Sequence, residues 1–361
     1  MYDINLNNYI YGPRIDGSNN ETGSVHIAHH KPTNTYVAIK KYFIDNKESD
    51  DYGLIQQEIV TTRQLQHPNV LAYLNAFVSG HDVYVISPLM NYGSCSNLLQ
   101  ESFTSGFPEL AIAFIVKDVL HGLDYLHRKG IIHRSLRASH ILISGIGEAS
   151  ICGMRYACEA VKSGKWQRTI FNFPKSSTNN LKWLSPELLQ QDLRGYNEKS
   201  DIYSLGITIC ELANGIVPFH GCPDTLMLTE KVRGFIPNII DRSTYQADSM
   251  DIDQSLGDET NENSNRNIEE MKTRKFSETF HEIAEQCVQR EADNRPSVHH
   301  LLKHPFFKQC KRTETTLLDI LNPVIPLHER FKQNLENDTM AITDILNTLE
   351  LESCQWDFEN T

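Results

Sequence analysis

Lys40 closes the run Val37-Ala38-Ile39-Lys40, and Glu58 lies inside the next stretch with helical character. A strand lysine matched with a helix carboxylate is an arrangement that grips nucleotide phosphates. Taken alone these two residues read more plainly as a strand-edge lysine and a solvated acid, and the rest of the chain reverses that. His133-Arg134-Ser135-Leu136 runs on to Ala138-Ser139-His140. This is the frame H-R-D-L-x-x-x-N of a phosphoryl-transfer loop with two working groups replaced. The frame's aspartate orients and deprotonates the attacking hydroxyl, whereas Ser135 carries no charge at neutral pH. Its asparagine holds a metal ion, whereas His140 offers a ring nitrogen suited to softer metals than Mg²⁺. Eighteen positions after Ser135, where a metal-binding carboxylate belongs, the chain reads Gly153-Met154-Arg155, and glycine ligates nothing through a side chain. Loss of a general base alone is worth roughly 10² to 10⁴ in rate, about 3 to 5 kcal/mol of barrier. A weakly active enzyme using His140 as base and nearby acids for metal stays open as the alternative.

The elements that must carry these groups change character along the chain. The first ninety residues hold short β-like pieces, such as Tyr36 to Ile39 and Val83 to Ile86, around one helical stretch from about Asp51 to Gln66. From Glu109, the residues Leu110, Phe114, Val119, Leu123 and Leu126 recur near helical spacing and stop at Lys129-Gly130. A further helix opens at Ser200-Asp201 and is stopped by Asn214-Gly215 and Pro218. The expectation is an α+β fold of two lobes. A strand-rich N-lobe covers about 9–89 and a larger helical C-lobe about 91–309, with residues 1–8 as an extension and 310–361 as a tail.

Composition narrows the function. Asp plus Glu outnumber Lys plus Arg by 46 to 34, a net charge of −12, which argues against a broad nucleic-acid surface. More than half of that charge, −7, falls in 247–270, where so few large apolar residues occur that a disordered insert is expected. The longest apolar run, Leu110 to Val116, is far below the ~18 residues of a membrane span. No secretory signal is visible at the start, and the eight cysteines form no C-x-x-C. A cytoplasmic location, with the nucleus also open, and no metal site are therefore expected.

Ser185-Pro186-Glu187, Asp201-Ile202-Tyr203-Ser204-Leu205-Gly206 and Asn294-Arg295-Pro296 follow the degenerate loop in the order of a protein kinase domain. In detail the chain resembles the STRAD adaptor pseudokinases related to the sterile-twenty kinases. The resemblance is carried by His133-Arg134-Ser135 with Ala138-Ser139-His140-Ile141-Leu142-Ile143-Ser144, by Trp183-Leu184-Ser185-Pro186-Glu187-Leu188-Leu189-Gln190-Gln191, and by Cys210-Glu211-Leu212-Ala213-Asn214-Gly215. It implies a bilobal kinase-like fold without transfer activity. It also implies ATP held largely without Mg²⁺, in a cleft formed by Gly23, Val25, Ala38, Lys40, Glu58, Pro88, Leu89, Met90, Arg137, Leu142 and Arg155. Of the glycine loop over the phosphates only Gly23 survives, with Ser18 and Asn20 at the other positions. Salt bridges from the basic residues to Glu58 or to the activation segment are the competing reading of those cations.

The resemblance further implies two protein partners, a serine/threonine kinase of the liver-kinase-B type and an armadillo-like helical-repeat scaffold of the mouse-protein-twenty-five family. Trp166, Arg168, Phe171 and Phe173 interleave aromatic and basic character in a way that suits the first contact, unless the segment packs on itself. Trp356-Asp357-Phe358 is similar to the terminal W-E-F that engages the scaffold, here followed by three more residues.

Overall fold

The computed structural model describes residues 2, 4–15, 23–43, 49–162, 164–173, 180–244 and 269–336. Ser18 and Asn20, the acidic insert apart from Glu269 and Glu270, and Trp356-Asp357-Phe358 lie outside them.

Five antiparallel strands build the N-terminal sheet: β1 (Tyr9–Arg14), β2 (Gly23–His30), β3 (Thr35–Phe43), β4 (Asn75–Ser79) and β5 (Asp82–Pro88), in the order β1-β2-β3-β5-β4. Period-two alternation puts Tyr9, Ala28, Val37, Ile39, Tyr84 and Ile86 on one face, where they cluster. The other face buries Tyr42 and Val85 against Ile55 of helix α1 (Ser49–Arg63). Register fixes where the chemistry sits, because Lys40 pairs with Val25 on one side and Val85 on the other. Gly23 has a reason within the sheet, since a Cβ there would stand 2.2 Å from the Lys41 carbonyl oxygen.

Helices make up most of the second lobe: α2 (Cys95–Glu101), α3 (Glu109–Arg128), α4 (Pro186–Leu189), α5 (Lys199–Asn214), α6 (Asp224–Arg233) and α7 (Glu278–Cys287). The apolar stripe of α3 packs into one core with Leu205, Ile209 and Leu212 of α5 and Phe280 and Ile283 of α7. Both expected glycine stops occur in left-handed backbone, Gly130 at φ +74° and Gly215 at φ +76°. Every residue of α5 from Ser200 onward is buried, so this helix is the axle on which the loops around it are hung. Packing does not end at residue 309. Leu317, Leu321 and Val324 belong to the large core and Phe331 is buried, so residues past 309 pack against the body. Among the described residues no helix is long and apolar enough to cross a membrane.

Candidate functional site: a cleft between the sheet and the helical lobe

A cavity of about 240 Å³ lies between the sheet and the C-terminal lobe. Of the residues assigned to it from the sequence, Val25, Ala38, Lys40, Pro88, Met90, Arg137 and Leu142 line it, together with Ser87, His140 and Gly153. Gly23, Glu58, Leu89 and Arg155 are not among its lining residues. Glu58 stands behind Lys40 and acts through it. Arg155 lies in the short turn Met154–Tyr156, its guanidinium 5.9 Å from the Tyr156 ring. No carboxylate occurs among the described residues lining the cavity, so its charged side chains are Lys40 and Arg137.

Lys40 donates to Glu58 at 3.0 Å, which places α1 against the sheet, and Gln57 extends that docking by donating to the Ala157 carbonyl at 3.1 Å. Two further donors converge on the same carboxylate, the hydroxyls of Tyr42 at 2.7 Å and Tyr73 at 2.8 Å. Burial by itself pushes the Glu58 carboxyl up, but Lys40 and the two hydroxyls outweigh it and hold the group below the ordinary range. Lys40, with 32% of its side-chain surface still open, is held above its ordinary value because the Glu58 charge outweighs the effect of burial. Neither tyrosine was singled out from the sequence. Tyr42 had a legible signal, since it is two residues from Lys40 and so on the same strand face. Tyr73 had none.

The loop that would hold the catalytic base hangs from Asp201 of α5. Its carboxylate accepts the backbone N–H groups of His133 at 2.9 Å and Arg134 at 2.8 Å and the ring of His127 at 2.8 Å. Burial opposes the charge of Asp201, yet these donors keep the carboxyl below its usual range. These three bonds fix the path of the loop, and Ser135 and His140 within it are held by further bonds. Ser135 is buried, and its hydroxyl accepts the Asn180 side-chain amide at 2.8 Å. His140 donates from Nδ1 to the Ser135 carbonyl at 2.6 Å, and its Nε2 faces the Arg137 guanidinium at 3.4 Å. Burial, then Arg137 and His133, push the imidazole well below its ordinary value. A neutral ring with one nitrogen donating and the other against a guanidinium is poorly placed to be either a base or a metal ligand.

Gly153 completes the rearrangement. Its backbone is left-handed at φ +83°, and a Cβ there would be 2.8 Å from the His140 ring. The two substitutions at metal-ligand positions are therefore one packing event, the imidazole occupying space that a side chain at 153 would need.

Glu211 of α5 ties this loop to the next. It accepts the Ala138 N–H at 3.1 Å and the Trp183 indole N–H at 2.8 Å, and burial pushes its carboxyl up to about 7. A carboxyl raised on folding is most stabilising below its unfolded value, near 4.3, and that contribution is lost as the pH climbs through about 7. Glu211→Gln keeps an acceptor and removes the titration. Urea unfolding is expected to show the parent losing about 3 kcal/mol relative to this variant between pH 4.5 and 8. Parallel pH profiles for the two chains would contradict the assignment.

Trp166, Arg168 and Phe171 are exposed along the segment expected to meet a partner, with Trp166 at 59% and Phe171 at 61%. Phe173 departs from the expectation. It lies 5.5 Å from Tyr196 and packs against the cluster of Ile170, Leu184 and Leu188, because its own core offers more apolar contact than the surface does. Leu193, 95% exposed, was not singled out, and a lone leucine in a polar turn gives no periodic signal.

The protein kinase domain family matches residues 19–307. The STE20-related kinase adapter protein alpha of Bos taurus is 40% identical over 349 residues, 93% of this chain and 93% of its own length. The human alpha protein is also 40% identical over 93% of this chain and 81% of its own. The beta protein of Mus musculus is 40% identical over 83% and 75% respectively. A kinase frame hung on Asp201 with Ser135, His140 and Gly153 at its working positions agrees with those matches, and the chain belongs to the STE20-related kinase adapter family of the protein kinase fold.

Proposed function

We propose that this protein is a catalytically inactive pseudokinase that serves as an allosteric adaptor, binding and activating a partner serine/threonine kinase of the liver-kinase-B type together with an armadillo-like helical-repeat scaffold. The observation that carries the inactive half is the packing of His140 against Gly153 with Ser135 bonded to Asn180. The relatives' designation as adapter proteins supports the other half. Exposed Trp166, Phe171 and Leu193 are anchors of the kind that bind a protein surface, and Trp356-Asp357-Phe358 is proposed for the scaffold. A cytoplasmic or nuclear setting is part of the same reading.

The cleft suits ATP without metal. Lys40 and Arg137 face a cavity whose described lining has no carboxylate to hold Mg²⁺, so the phosphate charge meets side-chain cations directly. The nucleotide would supply no chemistry here and would brace the cleft. Melting of the purified chain with millimolar ATP in EDTA is expected to rise by a few degrees, with little further change on adding Mg²⁺. A shift seen only with Mg²⁺, or none at all, would overturn the nucleotide reading. The adaptor reading is tested by capturing the tagged full chain with its partners and identifying them by mass spectrometry. Loss of a co-purifying kinase in the triple variant Trp166→Ala, Phe171→Ala, Leu193→Ala is the expected outcome, and undiminished capture would refute that surface.

A further inference from the structure

The chain beyond the helical lobe returns across the junction between the lobes. Leu317 and Leu321, on the short helix Leu317–Leu321, are buried in the large core, and Leu318 covers Gly147. The backbone then reaches the connection between the lobes, where the Leu327 N–H donates to the Asn91 carbonyl at 2.7 Å. A helix over 327–336 follows. On one side Arg330 pairs with Glu101 of α2 at 2.9 Å. On the other, Phe331 and His328 meet the Tyr36 ring of β3 at centroid distances of 6.0 and 5.9 Å.

The seat of Phe331 is built into the sheet. It lies over Gly12 of β1, where a Cβ would be 2.4 Å from the ring and 2.8 Å from Ile27 of β2. A Cβ at position 12 would force the Phe331 ring or Ile27 to shift, and Phe331 is only 3% exposed. One short segment thus holds an N-lobe seat, a backbone bond to the connection and an ion pair to the C-lobe. Ile15, Gly93 and Asn97 line both the small cavity beneath this segment and the nucleotide-sized cleft, so the segment buttresses the cleft from outside.

We propose that residues 317–336 form an intramolecular clasp that fixes the closure of the two lobes before any ligand binds, with Phe331 as the positioning residue that locks it to the sheet. Lobes joined by a short connection otherwise rely on a ligand in the cleft to hold them together. The clasp supplies that restraint from the chain itself, seated on Ile27 and Tyr36, which share the sheet face of the cleft-lining Val25 and Ala38. The inference concerns lobe closure and stands apart from whether nucleotide or partner binds.

Hydrogen exchange on the ligand-free full chain tests it, with Phe331→Ala and Gly12→Val as two independent ways to empty the seat and Phe331→Met as the conservative rescue. Amides of β1, β2 and residues 88–93 are expected to exchange at least about tenfold faster in the first two variants, while α5 keeps its protection and the methionine variant stays near the parent. Spin labels on the two lobes should report a broader distance distribution in the same two variants. Equal exchange at β1, β2 and 88–93 in parent and variants would overturn the clasp. So would a uniform rise that includes α5, which marks the ring as ordinary core. Should Phe331→Ala fail to fold, Phe331→Leu, with a partly filled seat, is read by the same two criteria. A parent chain that shows no ATP shift leaves these outcomes unchanged.

Discussion

Gly153→Asp is expected to lower stability by about 2 to 3 kcal/mol, and His140→Asn in the same chain to recover a large part of that loss. The first term is the backbone, since φ +83° costs a residue with a Cβ about 1 kcal/mol even for aspartate, which tolerates left-handed geometry better than most. The second is the collision with the His140 ring, which must move and give up its bond to the Ser135 carbonyl. Asparagine at 140 is shorter and clears that space. Urea denaturation of the two single variants and the double variant therefore closes a cycle with a coupling of about 1 kcal/mol or more, the double being less damaged than the sum. Additive losses would show that the two positions do not share space. Restoring one metal-binding side chain is on this account not a small step toward activity. Neither variant is expected to transfer phosphate from ATP to a protein substrate, since Ser135 still lacks a carboxylate.

Lys231→Met is the second change expected to have a large effect, a loss of about 2 to 4 kcal/mol. Lys231, on α6, is 1% exposed, and its ammonium donates to the carbonyls of Leu181, Lys182 and Leu184, at 3.5 Å for the first and 2.9 Å for the last. The rings of Tyr203 and Phe219 lie 5.1 and 5.8 Å from it. Burial pushes its pKa well below the ordinary lysine value. Together with Ser204, which donates to the Trp183 carbonyl at 2.9 Å, it satisfies four successive carbonyls of the loop ahead of Ser185-Pro186-Glu187. Methionine fills similar volume and donates nothing, so buried carbonyls lose their partners at about 1 to 3 kcal/mol each. Part of this is returned because a buried ammonium no longer has to be desolvated. A loss below about 1 kcal/mol in urea unfolding would mean the two terms cancel and the lysine is not a clamp. The expected loss should come with faster hydrogen exchange at 180–185, and unchanged exchange there would also count against the assignment.

Membership of the kinase adapter family was legible in the sequence because it depends on the identity of a few residues at fixed spacing. Ser135 cannot be a carboxylate and Gly153 has no side chain to serve as a ligand, whatever surrounds them. The strand-rich and helical halves were legible for a similar reason, since periods of two and 3.6 residues and terminal glycines such as Gly130 and Gly215 are local properties of the chain. What each surviving polar group is bonded to was decided elsewhere. Tyr73 reaches Glu58 only because α1 docks beside the sheet, and Lys231 meets three carbonyls from a loop about fifty residues away in the chain. Phe173 turned inward and Arg155 lay outside the cleft lining because packing against Tyr196 and the turn after Gly153 set their directions. Likewise nothing around Phe331 marks its seat, which exists only where Gly12 and Ile27 of two paired strands come together. Side-chain identity set what Ser135, His140 and Gly153 can offer at their positions, while the contacts between distant segments, which depend on register and on the volume left by every neighbour, decided what each polar group holds in place.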